Sequence, residues 1–306
     1  MLCFVPRPAL GFLLGVCVAA KASAQRPLAI THAAPPDSMV VSTSWLAAHL
    51  TDPSVIVVEV TMQDSPARSQ LIPGSRALAY RRLTVSRDGL GTELPSVDSL
   101  KALVESLGIS PSTRVVVYAH EAPMATRLLL SLDYLGHDKF SYLDGGMRTW
   151  VEERRATASV ESVVRRSSCT PRPRADMVVT ADWLTPRIGT PGLALIDTRT
   201  DGEYNGTGNR SGMPSAGHLA GARQLEWESL FEANDALLFR DRTALRKMFT
   251  ERMAAGDTVV TYCWVGYRAS ATYFAARMLG LPAKFYDGSY QDWQARKLPT
   301  KAGTVP

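Results

Sequence analysis

The chain has 306 residues, 45% of them hydrophobic, and a formal charge of +5. That length supplies one large core or two ordinary ones, so two domains are the starting expectation. The composition excludes a disordered or fibrous protein, and the charge is too small to argue for nucleic acid.

Residues 1–24 read as a secretory signal: Arg7 gives a positive start, Ala9 to Ala20 a short apolar run, and Ala22-Ser23-Ala24 a small-residue cleavage site before Gln25. The run is too short to span a bilayer comfortably. Val16 is bulkier than the residue that lipoprotein processing prefers before a cysteine such as Cys17, so simple export is favoured. The expected location is periplasmic or secreted, with no membrane attachment after cleavage. Cys3 and Cys17 leave with this segment, and the mature chain keeps Cys169 and Cys263. Two cysteines are too few for a structural zinc site or a disulfide framework, though one bridge between them stays open. The default reading of an isolated cysteine is a small buried apolar residue.

Beyond the signal the chain repeats itself. Met39-Val-Val-Ser-Thr-Ser-Trp45-Leu46 returns as Met177-Val-Val-Thr-Ala-Asp-Trp183-Leu184, and Val55 to Glu59 returns as Leu193 to Asp197 at the same offset. Val115-Val-Val-Tyr118 parallels Val259-Val-Thr-Tyr262, and Asp144-Gly145 with Trp150 parallels Asp287-Gly288 with Trp293. These matches mark an internal duplication. Short β-branched runs (Val55 to Val60, Val115 to Tyr118, Ala194 to Asp197, Thr258 to Tyr262) predict buried parallel strands. Between them, Ser44 to Leu50, Ser99 to Leu107, Met124 to Leu135, Ala181 to Ile188, Arg242 to Ala255 and Ala269 to Leu279 predict helices. The expected fold class is α/β: two tandem domains at 38–155 and 177–302, each a small doubly wound, mainly parallel sheet flanked by helices. Residues 156–176, rich in Ser, Thr, Pro and Arg, read as a solvated linker wrapping both domains.

The stretch that carries chemistry is Tyr262-Cys263-Trp264-Val265-Gly266-Tyr267-Arg268-Ala269. A strand ends at Tyr262 and a helix starts near Ala269, so Cys263 stands beyond a strand's carboxyl end, where open α/β sheets bind ligands. A loop curling onto a helix N-terminus aims backbone N–H groups at its centre and holds an anion. The same field, with Arg268 beside it, is expected to favour the Cys263 thiolate without a dedicated base.

Cys263-Trp-Val-Gly-Tyr-Arg268 resembles the C-x-x-G-x-R active loop of the rhodanese family of sulfurtransferases. Asp197-Thr-Arg199-Thr-Asp-Gly-Glu203-Tyr204-Asn-Gly206 resembles that family's D-x-R-x-x-x-E-Y-x-G signature. Gly217-His218-Leu-Ala-Gly221-Ala222 resembles its G-H-I-P-G-A turn, and Asp287-Gly288-Ser-Tyr-Gln-Asp-Trp293 its closing D-G-G-x-x-x-W element. Four ordered motifs are far more specific than any one. The resemblance implies ping-pong sulfur transfer: Cys263 takes the outer sulfur of a small anionic donor, becomes a persulfide, and passes the sulfur to a thiophilic acceptor such as cyanide, a thiol or a partner protein. No cofactor or metal is implied.

On this reading residues 264–269 form the anion cradle, Trp264, Val265 and Tyr267 give it an apolar rim, and Arg268 binds the donor unless a carboxylate of its own domain claims it. Glu203 stands where relatives often carry a donor-clamping arginine, which leaves Arg268, or Arg210, to supply positive charge. Asp197 and Arg199 are expected to brace the loop as an ion pair, and His218 to serve its turn structurally. In the first half Ala119 stands at the nucleophile's place and Leu71 at the histidine's, so that half is expected to be silent and to wall the cleft. His120 and Glu121 beside it are two ligands at most, too few for a metal.

Two rivals remain. A cysteine phosphatase shares the anion cradle, but its loop places five residues between Cys and Arg and this one has four. A non-catalytic sulfur-binding or redox module would pair Cys263 with Cys169. Thiosulfate is the favoured donor over 3-mercaptopyruvate, because the loop lacks the small hydroxylated residues of the mercaptopyruvate branch's C-G-S-G-V-T.

Overall fold

The computed structural model describes residues 39–62, 70–210, 213–214 and 217–306, and only the backbone of residues 209, 210, 213 and 214. The signal assigned to residues 1–24 lies outside the described residues.

In the first half β1 (Val40–Val41) leads into α1 (Thr43–His49), whose first turn is capped by Ser42 accepting from Trp45 N–H. Strands β2 (Val55–Thr61) and β3 (Arg76–Ala79) follow, then a hairpin of β4 (Val85–Arg87) and β5 (Leu90–Glu93). Next come α2 (Val97–Ser106), β6 (Arg114–Ala119), α3 (Ala122–Tyr134), β7 (Phe140–Leu143) and α4 (Gly146–Glu152). The sheet order is β1-β7-β6-β2-β3, and every pair is parallel.

The second half repeats the plan. It has β8 (Val178–Val179), α5 (Ala181–Leu184), β9 (Leu193–Asp197) and α6 (Asp201–Asn205). Short ladders follow in β10 (Asn209–Arg210), β11 (Met213–Pro214), β12 (His218–Leu219) and β13 (Arg223–Gln224), then a hairpin of β14 (Phe231–Glu232) and β15 (Asp235–Phe239). The half closes with α7 (Arg242–Thr250), β16 (Thr258–Tyr262), α8 (Ala269–Met278), β17 (Ala283–Tyr286), α9 (Ser289–Ala295) and β18 (Thr300–Lys301). Its parallel sheet, β13-β9-β16-β17-β8, has the same topology as the first.

The expected strands and helices stand, with two helices shorter than their periodicity suggested. The first α-helix of the second half stops at Leu184 and tightens into a 3-10 turn, because Pro186 has no N–H to continue the ladder. Helix α7 ends at Thr250, and the Asp257 carboxylate draws the chain into a turn by accepting from Ala254 N–H at 2.8 Å. The β4–β5 hairpin carries a signal that periodicity alone passes over. Asp88 (φ 53°) and Gly89 (φ 81°) are an Asp-Gly pair with both residues left-handed, the backbone that a two-residue hairpin loop needs.

Helices α3 and α8 occupy equivalent places in the two halves and pack on each other as well as on their own sheets. That explains why α8 is buried all round. Thr126 and Ser270 hydroxyls meet across this contact at 2.8 Å. At its far end Asp133, fully buried, accepts from Arg277 Nε at 2.7 Å and Tyr273 Oη at 2.8 Å and also meets Arg174. The linker runs along the first half: Ala158 pairs with Leu71, Ser162 N–H donates to Ser75 O, and Ser167 N–H to Glu105 O. Its arginines meet acids of the same chain, Arg166 on Glu105 at 3.1 Å and Arg174 on Asp133 and Asp138. No helix among the described residues is long and apolar enough to cross a membrane.

Candidate active site

Strand β16, buried along its whole length, delivers Cys263 to the carboxyl edge of the sheet, and α8 begins six residues later. Cys263 is fully buried. The segment after β17 holds the loop's first residues: Cys263 N–H donates to Ser289 Oγ at 3.4 Å, Cys263 O accepts from Tyr290 N–H at 3.0 Å, and Trp264 O accepts from Gln291 N–H at 3.1 Å. Ser289 has φ 53° at the place where the first half carries Gly146 with φ 56°. A side chain in left-handed backbone is strained, and here that side chain is the one that holds the Cys263 backbone.

Gly266 turns the loop at φ 79°. A Cβ there would lie 3.0 Å from Phe285 Cζ and 3.3 Å from both Asp287 O and Arg127 Nη1, so only glycine fits.

Arg268 is gripped by Glu203 through two parallel bonds, Nη1 to Oε2 at 2.6 Å and Nη2 to Oε1 at 2.8 Å. Burial works against the Arg268 charge, but Glu203 and the neighbouring Cys263 raise its pKa above the ordinary value. Burial likewise opposes the Glu203 charge, yet Arg268 and Thr200 hold its carboxyl down at about 2. Glu203 also completes a capping box with Thr200 at the start of α6. The carboxylate that claims Arg268 is therefore Glu203, and Thr200-Asp-Gly-Glu203 was its readable sign.

Asp197 and Arg199 form a fully buried ion pair, with Nη2 to Oδ2 at 2.6 Å and Nε to Oδ1 at 3.0 Å. Tyr262 Oη adds a bond to Asp197 at 2.6 Å, and Arg199 donates to Gly217 O at 2.8 Å. This network ties the ends of β9 and β16 to the turn that carries His218. His218 is buried, stacked on Tyr204 at 3.8 Å, and its Nδ1 lies 2.9 Å from Tyr204 O. Trp264 is not part of an exposed rim: it packs inside its own domain against Tyr290, 5.0 Å between rings. Val265 and Tyr267 are half-buried, and Ala269 opens α8. Arg210 sits in β10, paired through its backbone with Met213, and its side chain lies outside the described residues. Cys169 and Cys263 are both free thiols. Cys169 stands in the linker, its N–H donating to Glu105 at 3.1 Å, and burial with the Glu105 charge pushes its thiol up.

The first half covers the loop closely. Tyr267 Oη donates to Glu121 at 2.7 Å, Thr92 Oγ1 donates to Val265 O, and Gln291 exchanges bonds with both backbone groups of Gly91. Leu94 N–H donates to Asp287 Oδ2 at 2.7 Å. Arg127 of α3, fully buried, reaches Thr92 O at 2.6 Å and Asp287 at 3.3 Å. Tyr80 lies edge-on to Tyr267 at 5.2 Å. Burial and the Asp287 charge push Glu93 up to about 8. None of Tyr80, Thr92, Glu93 or Arg127 belongs to a motif of the second half, so no local pattern points to them. Ala119 closes β6 at the place corresponding to Cys263, and His120 with Glu121 is an exposed pair at 3.7 Å. No cluster of His, Cys, Asp or Glu among the described residues has metal-binding geometry.

The family profile described as Rhodanese-like domain matches the chain twice, at residues 42–153 and 180–296. The thiosulfate sulfurtransferase of Pseudomonas aeruginosa is 31% identical over 261 residues, covering 83% of this chain and 93% of that protein. The sulfur carrier protein TtuD of Thermus thermophilus is 29% identical with the same coverage, and a probable 3-mercaptopyruvate sulfurtransferase of P. aeruginosa is 27% identical, covering 84% and 95%. Among solved structures, YnjE superposes with a TM-score of 0.78 at 22% identity, covering 88% of this chain and 69% of that one. The anaerobic ergothioneine biosynthesis enzyme of Chlorobium limicola also gives 0.78 at 21% identity, covering 88% and 71%. These structural likenesses bear on the fold, while the two profile matches and the near-complete relatives bear on the activity. The chain belongs to the rhodanese family and is a tandem-domain sulfurtransferase, acting between a sulfur donor and a sulfur acceptor.

Proposed function

We propose that Cys263 is the sulfur carrier and that thiosulfate is its donor. The observation that carries the reading is the position of Cys263: among the described residues it is the one cysteine at a strand's carboxyl edge, in a loop that runs onto the N-terminus of α8 and is fastened by both halves of the chain. In the first step the Cys263 thiolate attacks the outer sulfur of thiosulfate. A sulfur–sulfur bond forms at Sγ, the donor's sulfur–sulfur bond breaks, and sulfite leaves with the electron pair. In the second step an acceptor such as cyanide attacks the terminal sulfur, leaves as thiocyanate, and returns the thiolate. The N-terminal dipole of α8 favours the anion carried on the cysteine side chain in both states. Burial of Cys263 keeps the persulfide from bulk water.

Thiosulfate is favoured over 3-mercaptopyruvate because Trp264 and Val265 offer no hydroxyl to a carboxylate or ketone, and because relatives at 29–31% identity bear the name thiosulfate sulfurtransferase. The acceptor is cyanide in an assay and a thiol or partner protein in its setting. The protein acts after export, in the periplasm or outside the cell, on the strength of residues 1–24. Steady-state kinetics of the mature protein with each donor, cyanide being the acceptor, test the donor assignment. A higher kcat/KM with thiosulfate is expected, and a clear preference for 3-mercaptopyruvate would overturn it.

A further inference from the structure

The charge of the loop's own arginine is balanced. Both terminal nitrogens of Arg268 are held by the Glu203 carboxylate, so a doubly charged donor finds little net positive charge there. Besides Arg268 Nε in the loop itself, three buried donor atoms of the first half beside the loop lack partners: Tyr80 Oη, Arg127 Nε and Arg127 Nη1. Tyr80 is 8% exposed and Arg127 0%. Leaving a buried donor unpaired costs about 1–3 kcal/mol, so such groups ask for a ligand. Their placement says which one. Arg127 Nη1 lies over the turn of the loop, 3.3 Å from where a Cβ of Gly266 would be. Tyr80 packs on Tyr267 of the same loop.

We propose that Tyr80 and Arg127 form an oxyanion subsite for the sulfur donor, so that the half without a cysteine binds the end of the donor that does not react. The subsite takes the sulfonate oxygens of thiosulfate, and the same chemistry would hold the carboxylate of 3-mercaptopyruvate. The guanidinium offers charge and N–H groups, and the phenol one O–H, while the donor's outer sulfur points at Cys263. Arg127 is kept in place through its other nitrogen by Thr92 O and Asp287. Two further facts agree. The Tyr80 hydroxyl is pushed up to about 12 by burial, with Arg127 opposing and Cys263 and Asp287 adding to the rise, so it keeps its proton to donate. Burial and Asp287 push Glu93 up to about 8, which weakens its competition with a donor for Arg127.

This inference rests on the persulfide reading above, and its test separates the two. Tyr80→Phe removes only an unpaired hydroxyl and should fold normally, and Arg127→Lys keeps the charge but loses the planar fan of N–H groups. Persulfide formation is followed by mass spectrometry and stopped-flow with thiosulfate and with 3-mercaptopyruvate, and discharge to cyanide is timed separately on preloaded protein. Each variant should raise the thiosulfate KM roughly ten-fold or more, the worth of one charge-assisted hydrogen bond, and leave discharge unchanged. The same rise for 3-mercaptopyruvate alone supports the subsite and reassigns the donor. Wild-type KM values for both donors in both variants overturn the subsite, as does an equal slowing of loading and discharge at constant KM. Absence of persulfide in the unmodified protein with either donor overturns the persulfide reading instead, and the subsite with it.

Discussion

Gly266→Ala isolates the geometry of the active loop. The backbone at φ 79° disfavours any L side chain by about 1–2 kcal/mol. The new methyl would also sit 3.0 Å from Phe285 Cζ and 3.3 Å from Asp287 O and Arg127 Nη1. Phe285 is fully buried, Asp287 O is main chain and Arg127 is held by Thr92, so none yields cheaply. Overpacking of this kind adds about 1–3 kcal/mol, which makes a total of about 2–5 kcal/mol. With about 2–4 °C per kcal/mol for a chain of this size, Tm should fall by roughly 4–20 °C. Gly256→Ala is the control: its φ is 86° but nothing lies within 4 Å of the added Cβ, so it meets only the backbone cost. Differential scanning calorimetry of the two variants, with persulfide loading measured in parallel, gives the packing contribution as their difference. Equal Tm values, or normal loading by Gly266→Ala, would refute the close packing of Phe285, Asp287 and Arg127 around the turn of the loop.

Asp133→Asn removes the carboxylate that faces Arg277 and Arg174 between the halves, leaving the buried Arg277 without its counter-charge and Arg174 with Asp138 alone. Urea unfolding should show a loss of about 3–5 kcal/mol, and a loss below about 1 kcal/mol would contradict a buried role for the pair. Glu93 makes stability depend on pH: burial and Asp287, against the opposing pull of Arg127 and Arg87, raise its folded-state pKa from 4.5 to about 8. The stability it contributes is complete below pH 4.5 and is lost as pH rises toward about 8, so Glu93→Gln should flatten the decline of Tm across that window. An unchanged slope would place the titration elsewhere. Cys169→Ser should keep sulfur transfer near the unmodified level, and a large loss in steady-state turnover would bring the linker thiol into the chemistry.

The duplication, the strands and the placement of the Cys263 loop were legible because each is local: a repeated string, a β-branched run, a cysteine between strand and helix. Thr258 to Tyr262 reads as a strand and is one, since five consecutive buried residues leave no polar alternation to blur the pattern. What stayed hidden depends on contacts across long stretches of chain. The partner of Arg268 is Glu203, and only the fold brings β9's following helix beside the start of α8. The clamp formed by Thr92 and Arg127 belongs to the other repeat, and nothing in either residue announces that Val265 or Gly266 lies against it. Trp264 was read by position in the motif as part of a rim, yet the pleat at the end of β16 turns it inward, where an indole buries its large surface. Ser289 replaces a glycine of the closing element, and its value is visible only once its hydroxyl is seen to accept from Cys263.

The central claim is that Cys263 carries the transferable sulfur. Incubating the mature protein with thiosulfate and then locating the modification by peptide mass spectrometry tests it directly. One added sulfur atom should appear on the Cys263 peptide and none on the Cys169 peptide, cyanide should remove it with release of one equivalent of thiocyanate, and Cys263→Ser should gain nothing while melting like the unmodified protein. A sulfur atom on Cys169, or turnover by the Cys263→Ser variant, would contradict the account.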